Sequence, residues 1–172
     1  MAVAGEPLMP YDAETLAAFL RRSYAAVDGL WFMKVEETAD FDCALELDRQ
    51  VWEVMAKIQA RKARELLGAT GDSPEELGRC FALKFEAEGH DFELARAEDT
   101  GVELVIRDCA WLQLTRKSGR EHLAGRVGEM ICAAEGAVWG REFGGYGHSM
   151  VCRMCTGDEV CRHLFRRPGE ER

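Results

Sequence analysis

Seven cysteines stand at positions 43, 80, 109, 132, 152, 155 and 161, and five of them fall within the last 64 residues. Cys152-Arg-Met-Cys155 followed by Cys161 spells C-x2-C-x5-C, a spacing compatible with zinc or an iron–sulfur cluster. Cys132, on a helix expected to pack beside that segment, supplies a fourth sulfur. Buried free thiols, or redox and nucleophilic chemistry, are the other readings of the same set. Cys109 closes a strand and His122 falls in the first turn of the helix that follows, where the helix dipole favours a neutral imidazole. Such a pair can act as nucleophile and base, or serve simply as core thiol and capping histidine. His122 lies ten residues before Cys132, roughly 15 Å along one helix, so the two cannot share a metal ion.

A carboxylate in an apolar stripe is the next candidate. Ala44, Leu45, Val51, Trp52, Met55 and Ile58 line one side of a helix, and Asp48 sits in the middle of them. Burying it without compensation costs several kcal/mol, so it needs an Arg or backbone partner, or it is a pocket carboxylate with a raised pKa. Glu36 and Glu37, beside Trp31-Phe32, pose the same choice between a solvated helix face and a pocket.

These residues need elements to hold them. Asp12-Ala-Glu-Thr-Leu16 opens a helix with Leu16, Phe19, Leu20, Tyr24 and Val27 on one face, expected to stop at Asp28-Gly29 before an apolar turn over 30–33. A long helix runs from about Asp40 to Leu67 and ends at Gly68. Ser73-Pro74-Glu75-Glu76 starts a third, which carries Leu77, Phe81 and Phe85 as far as Gly89. From His90 the period becomes two, and Glu98-Asp99-Thr100-Gly101 turns one strand into the next. Ser118-Gly-Arg-Glu121 reads as a capping box, with a helix from near Gly119 to about Phe143. On that helix Gly125, Gly128, Gly136 and Gly140 align with Cys132, either for close approach of a neighbour or as a wall that leaves room for a ligand. A final hairpin, near 149–155 and 160–165, closes around Gly157-Asp158. The expected fold is α+β, a single domain over 10–167, with a helical part (10–88) packed on a four-stranded antiparallel β-β-α-β-β unit (89–167) and flexible ends at 1–9 and 168–172.

Composition excludes several classes. The 172 residues include 31 Asp+Glu against 22 Lys+Arg, a net charge of −9 that phosphate backbones and anionic membranes repel. No run approaches the roughly 20 apolar residues of a membrane span. With 47% apolar residues the chain can build a core, and seven cysteines without a leader read as reduced thiols in a cytoplasmic protein. A small molecule is the expected partner, nucleic acid and membrane are not, and a homodimer is open.

Several segments together resemble one family. Asp28-Gly-Leu-Trp-Phe32, Ala44-Leu-Glu-Leu-Asp48, Cys109-Ala-Trp111, Ser118-Gly-Arg-Glu-His-Leu123 and Cys155-Thr-Gly-Asp-Glu-Val-Cys161 are similar to the L-2-amino-thiazoline-4-carboxylic acid hydrolase-like group. That pattern has a further cysteine where this chain has Gly128, and a proline where Ala110 stands. The resemblance implies a hydrolase that opens a small cyclic C–N bond. On it Cys109, His122 and Asp48 would be catalytic, Arg120 or Arg126 would fix a carboxylate, and Trp31 and Glu36 would line the substrate site. The C-terminal half also resembles the vinyl-reductase-type small-molecule-binding domain, which implies a structural zinc beside an apolar pocket, here on Cys132, Cys152 and Cys161 with Cys155 in place of the acidic ligand.

Overall fold

In the computed structural model, which describes residues 11–98 and 100–169, five helices precede or flank one four-stranded sheet. The expected flexible end 1–9, most of 168–172, and Asp99 lie outside the described residues; Pro168 and Gly169 belong to a turn. Helices α1 (Ala13–Thr38), α2 (Phe41–Leu67) and α3 (Pro74–Glu88) come first, then strands β1 (Asp91–Glu98) and β2 (Gly101–Asp108). Helices α4 (Ala110–Lys117) and α5 (Ala124–Glu142) lead to β3 (Gly147–Met150) and β4 (Cys161–Arg166). All neighbours in the sheet are antiparallel, in the order β1-β2-β4-β3. The architecture is α+β, as the change of period at His90 predicts.

Helices α3 and α5 cover one face of the sheet, α2 lies across α5 and α3, and α1 lies outermost on α2. The core between helices and sheet is aromatic: Phe81, Phe85, Trp139, Phe143 and Phe165 are all but fully buried, with Phe81 at the centre of edge-on contacts to Trp139 and Phe165. Local signals fix the ends. Asp12, Asp40 and Ser73 cap their helices by accepting hydrogen bonds from Thr15, Cys43 and Glu76 N–H at 2.7, 2.8 and 3.2 Å. Gly68 and Gly89 end α2 and α3 in the left-handed conformation, φ 62° and 81°. Among the described residues no helix is long and apolar enough to cross a membrane.

Three expectations need correction. First, α1 does not stop at Asp28-Gly29; it runs unbroken to Thr38. A glycine costs a helix only about 1 kcal/mol, and a cap signal works only if the chain must turn there. The turn comes instead at Ala39-Asp40, where Asp40 caps α2. Second, residues 110–117 form α4, with Cys109 as N-cap and Ser118 as C-cap. The apparent capping box is therefore an ending: Ser118 Oγ donates to Thr115 O, and Glu121 pairs with Arg116 at 2.6 Å. Helix α5 begins only at Ala124, after a 3-10 turn over Glu121–Leu123, which places His122 outside it. Third, the last hairpin is looser than a two-residue turn. Met150 pairs with His163, and residues 154–156 form a 3-10 turn in the connection.

The glycine stripe of α5 is explained by close approach. A Cβ on Gly136 would lie 2.0 Å from His148 Nδ1, and one on Gly140 would lie 2.0 Å from Tyr146 O. The helix and the β3 segment touch through these gaps, so the space a ligand would need is filled by His148. Gly136→Ala should lower stability by about 3 kcal/mol or more, because a buried ring must move. Gly29→Ala, in open space on the same fold, should raise it by up to about 1 kcal/mol. Thermal unfolding of the two variants checks both signs.

Candidate functional site

The β1–β2 register decides which residues meet. Asp91 pairs with Asp108, which sets His90, just before β1, opposite Cys109, just after β2. The left-handed turn at Gly89 swings Glu88 and His90 onto the same side. Ala110 N–H donates to His90 Nδ1 at 3.1 Å, and His90 Nε2–H donates to Glu88 Oε2 at 3.2 Å. The Cys109 sulfur lies near this ring and is among the groups that raise its pKa. It accepts from Leu112 N–H at 3.4 Å, as the N-cap of α4. A thiol, an imidazole and a carboxylate thus stand in line, with the thiol at the positive end of a helix.

Sequence spacing paired Cys109 with His122 instead. His122 is exposed in the 3-10 turn, and among the described residues its side chain makes no hydrogen bond or ion pair. What brings the true neighbour into place is the β1–β2 pairing, whose two register shifts compensate each other so that Asp91 faces Asp108 and 90 falls against 109.

Behind Glu88 lies a buried ion cluster. Lys84 Nζ pairs with Glu88 Oε2 at 2.8 Å and Glu135 Oε1 at 3.2 Å, and both Lys84 and Glu135 are 8% exposed. Gln59 Nε2 donates to Glu88 Oε1 at 3.5 Å. The Tyr24 hydroxyl and Gln59 Oε1 are buried there without a hydrogen-bond partner among the described residues. Burial disfavours the charge on Lys84, but Glu135 and Glu88 outweigh it and hold the ammonium protonated. Burial likewise opposes ionisation of Glu88, and Lys84 and His90 reverse it, holding its carboxyl below the usual range. For Glu135 burial wins, with the Glu88 charge behind it, and its carboxyl is pushed up despite Lys84. Burial also resists a charge on His90; its interactions with Cys109 and Glu88 overcome this and raise it to about 9.

A cleft of about 260 Å³ opens beside this cluster, between α1 and α4. Glu88 and Ala110 form its inner end, and Arg21, Arg22 and Lys117 supply positive charge around it. Arg21 is engaged, donating from Nε to Ala87 O at 2.9 Å at the end of α3. Arg22 and Lys117 are exposed and form no ion pair among the described residues.

The other predicted residues have different positions. Arg120 pairs with Glu36 at 2.5 Å, so two expected substrate ligands neutralise each other and tie the 3-10 turn to α1. Arg126 pairs with Asp42 at 2.6 Å and lies over the Phe41 ring. Trp31 is 64% exposed on the outside of α1. Asp48 is half-buried with Asp28 and Trp52, whose indole also meets Tyr24 edge-on at 6.0 Å. It is not beside Cys109; its link to the cluster is the neighbouring Glu135 charge.

The predicted metal ligands share a region without closing on one point. Cys155, in the 3-10 turn, packs on Gly128, where a Cβ would lie 2.7 Å from its sulfur. Cys161 Sγ accepts from Met154 N–H at 3.2 Å, and Cys132 is buried on α5. Burial raises the thiols of Cys132 and Cys155 and lifts Cys161 to about 11, so each is held as S–H. Among the described residues no three His, Cys, Asp or Glu side chains are arranged to hold a metal ion, and Cys152 is half-buried in the connection after β3. The donor set does not fit the zinc or iron–sulfur centre that the spacing suggests. A second pair, His148 and His163, hydrogen-bonds ring to ring at 3.1 Å. Burial keeps both neutral, with His148 lowered to about 4 and His163 held well below the ordinary imidazole range.

The chain belongs to a family of unknown function, DUF6125, whose model matches residues 13–143. That span covers α1 to the end of α5 and so includes Glu88, His90, Cys109 and Glu135. No curated protein and no solved structure matches the chain.

Asp28 and Asp48 give the site a pH dependence. Burial is the first cause for both, and it raises them from 3.8 to about 6 and about 7. The folded chain therefore holds these protons more tightly than the unfolded chain, and the stability from the two groups falls as pH rises from about 4 to 7. Asp48→Asn cannot ionise. Its melting temperature should match the native chain's at about pH 4 and exceed it by roughly 3–6 °C at pH 8, after allowing for solvent screening of a half-buried group. Differential scanning calorimetry of both chains across that range measures the difference.

Proposed function

We propose that this member of a family without an assigned function is a hydrolase of small anionic compounds, using Cys109 to open a C–N bond of the amidine or thiazoline type. The observation that carries the reading is the Glu88–His90–Cys109 line at the start of α4, next to a cleft edged by Arg22 and Lys117. The resemblance to the thiazoline carboxylate hydrolase-like group agrees with it in substrate class.

The chemistry follows from the geometry. With His90 raised to about 9, against burial, by Cys109 and Glu88, the proton of the Cys109–His90 pair rests on Nδ1 near neutral pH while Glu88, accepting from Nε2–H, fixes the ring and balances its charge. The thiolate, facing Leu112 N–H and the positive end of α4, attacks the electrophilic carbon. Ala110 N–H no longer finds a lone pair on the ring once Nδ1 is protonated, and becomes a donor for negative charge developing on the substrate. The C–N bond breaks as the nitrogen takes the proton from His90. Water then attacks the carbon bound to Cys109, His90 again accepting the proton, and the thiol is restored. Arg22 and Lys117 hold the carboxylate, the role that the resemblance implies for Arg120 or Arg126. Lys84, clamped between Glu88 and Glu135, keeps Glu88 ionised and in place.

A non-catalytic binding domain is the second reading. The unpartnered Tyr24 hydroxyl and Gln59 Oε1 favour it, since a polar ligand would satisfy both.

Turnover of 2-amino-thiazoline-4-carboxylate separates the two. Cys109→Ala and His90→Gln should each lower kcat/KM by about 1,000-fold or more, Arg22→Ala should raise KM, and His122→Ala should change neither by more than about twofold. Saturable binding of the compound with no turnover, unchanged in Cys109→Ala, would establish the binding reading instead.

A further inference from the structure

Helix α1 is 26 residues long and has no buried residue, an unstable condition for an outer helix that must gain its stability from packing. Its apolar side chains are divided between two directions. Tyr24, Asp28 and Phe32 face α2, where Tyr24 meets Trp52 and Phe32 meets Phe41 at 5.7 Å. Leu16, Leu20, Val27 and Leu30 follow a second line, spaced four, seven and three residues apart, and are 48%, 64%, 64% and 57% exposed. Helix α2 repeats the arrangement: Leu47, Val51, Val54 and Ile58, spaced four, three and four, are 42%, 51%, 60% and 55% exposed. That 3.5-residue period is the seam of a helix that packs on another helix.

The two seams face the same way. On each helix, at 100° per residue, the seam lies about a third of a turn from the line of α1–α2 contact, in the same rotational sense. The contacts 24–52 and 32–41 run antiparallel, so equal rotations on the two helices carry both seams to one side. On α2 that side lies opposite Ala56, Ala60 and Ala63, which are buried towards α5. The result is a two-helix apolar face on the outside of the molecule, on the order of 1,000 Å² per chain, where a monomer exposes a few hundred in one patch. A standard interface takes about 800 Å² from each partner.

We infer that a second copy of this chain covers this face, the two α1–α2 hairpins joining as a four-helix bundle around a two-fold axis. A lipid surface fits less well, because the chain carries a net charge of −9. The self-complementary seam and its area match a like partner. The contact stabilises α1 and with it Arg21, Arg22, Tyr24 and Asp28, which border the cleft and the ion cluster from α1. The inference stands on the exposed face and not on the hydrolase reading.

Light scattering on the eluting full chain tests it. A dimer has twice 19.3 kDa, or 38.6 kDa, and should be the main species at about 10–100 µM. Val51→Glu on α2 and, separately, Leu20→Glu on α1 should each weaken association by at least about 100-fold and leave a helical, cooperatively melting monomer by circular dichroism. Should either variant fail to fold, amide exchange in the native dimer decides: 47–58 should be among its slowest segments outside the core. A native chain that stays monomeric at 100 µM overturns the inference, with or without binding to phosphatidylcholine vesicles. So does a dimer that neither substitution weakens, or one in which 47–58 exchanges as freely as an exposed helix.

Discussion

Lys84 is the buried charge around which the functional half of the molecule is arranged. An ammonium removed from water is costly, and its attraction to a single carboxylate rarely repays that cost unless the remaining protons are also satisfied. Here two carboxylates from different elements, Glu88 one turn further along α3 and Glu135 on α5, meet it at 2.8 and 3.2 Å. Three charged groups with one net charge among two acids cannot all be content. Glu88 keeps its charge because His90 adds a second donor, and Glu135 lies against Cys132 and Glu88, where burial raises it. The asymmetry gives one carboxylate that is fixed and ionised, which is what an imidazole needs behind it, and one that holds its proton more readily.

That arrangement depends on turns more than on helices. Glu88 ends α3, Gly89 reverses the chain with a positive φ, and His90 begins the approach to β1. An L residue with a side chain at 89 would be strained at that φ, and its Cβ would meet Arg21 at 2.9 Å. The same glycine therefore joins three features: the C-cap of α3, the alignment of Glu88 with His90, and the seat of the Arg21 guanidinium on the last carbonyls of α3.

How much of this was legible follows from which signals are local. The caps at Asp12, Asp40 and Ser73, the glycine ends of α2 and α3, and the alternation from Phe92 to Arg107 all act within a few residues, and the elements they predict are there. Asp48 stands in an apolar stripe that makes it need a partner or a raised pKa, and burial followed by Asp28 raises it. Signals failed where two local meanings competed. Asp28-Gly29 reads as a stop and Ser118–Glu121 as a start, yet a helix continues through the first and ends at the second. Losing α4 had a larger consequence. With 110–117 unassigned, Cys109 looked like a strand end near the next helix, and His122 became its obvious partner; with α4 present, Cys109 is a cap whose neighbours come from across the hairpin. The buried cluster of Lys84, Glu88 and Glu135 has no sequence signature, because a charge on an amphipathic helix reads as solvated until the neighbouring helix is placed over it.

The cysteines show the opposite case, a motif that spacing supports but whose sulfurs do not gather around one point among the described residues. Cys152, Cys155 and Cys161 suit a ligand set only if the hairpin is tight. The observed pairing of Met150 with His163 leaves twelve residues, 151–162, between the paired positions, and Met154–Thr156 within that connection form a 3-10 turn. Cys155 then fills the notch above Gly128 and Cys161 accepts a backbone N–H, and it is the burial of each that keeps the thiol protonated. Cys109 differs in surroundings, not in residue type: it alone sits at a helix start with an imidazole at hand. What sets one thiol of seven beside an imidazole is the register of β1 on β2, in which Asp91 pairs with Asp108 after two register shifts along the ladder. The aromatic core that buries Phe81, Phe85 and Phe165 holds that register in place, and so the position of the proposed nucleophile is set by the packing of the sheet and not by any motif around it.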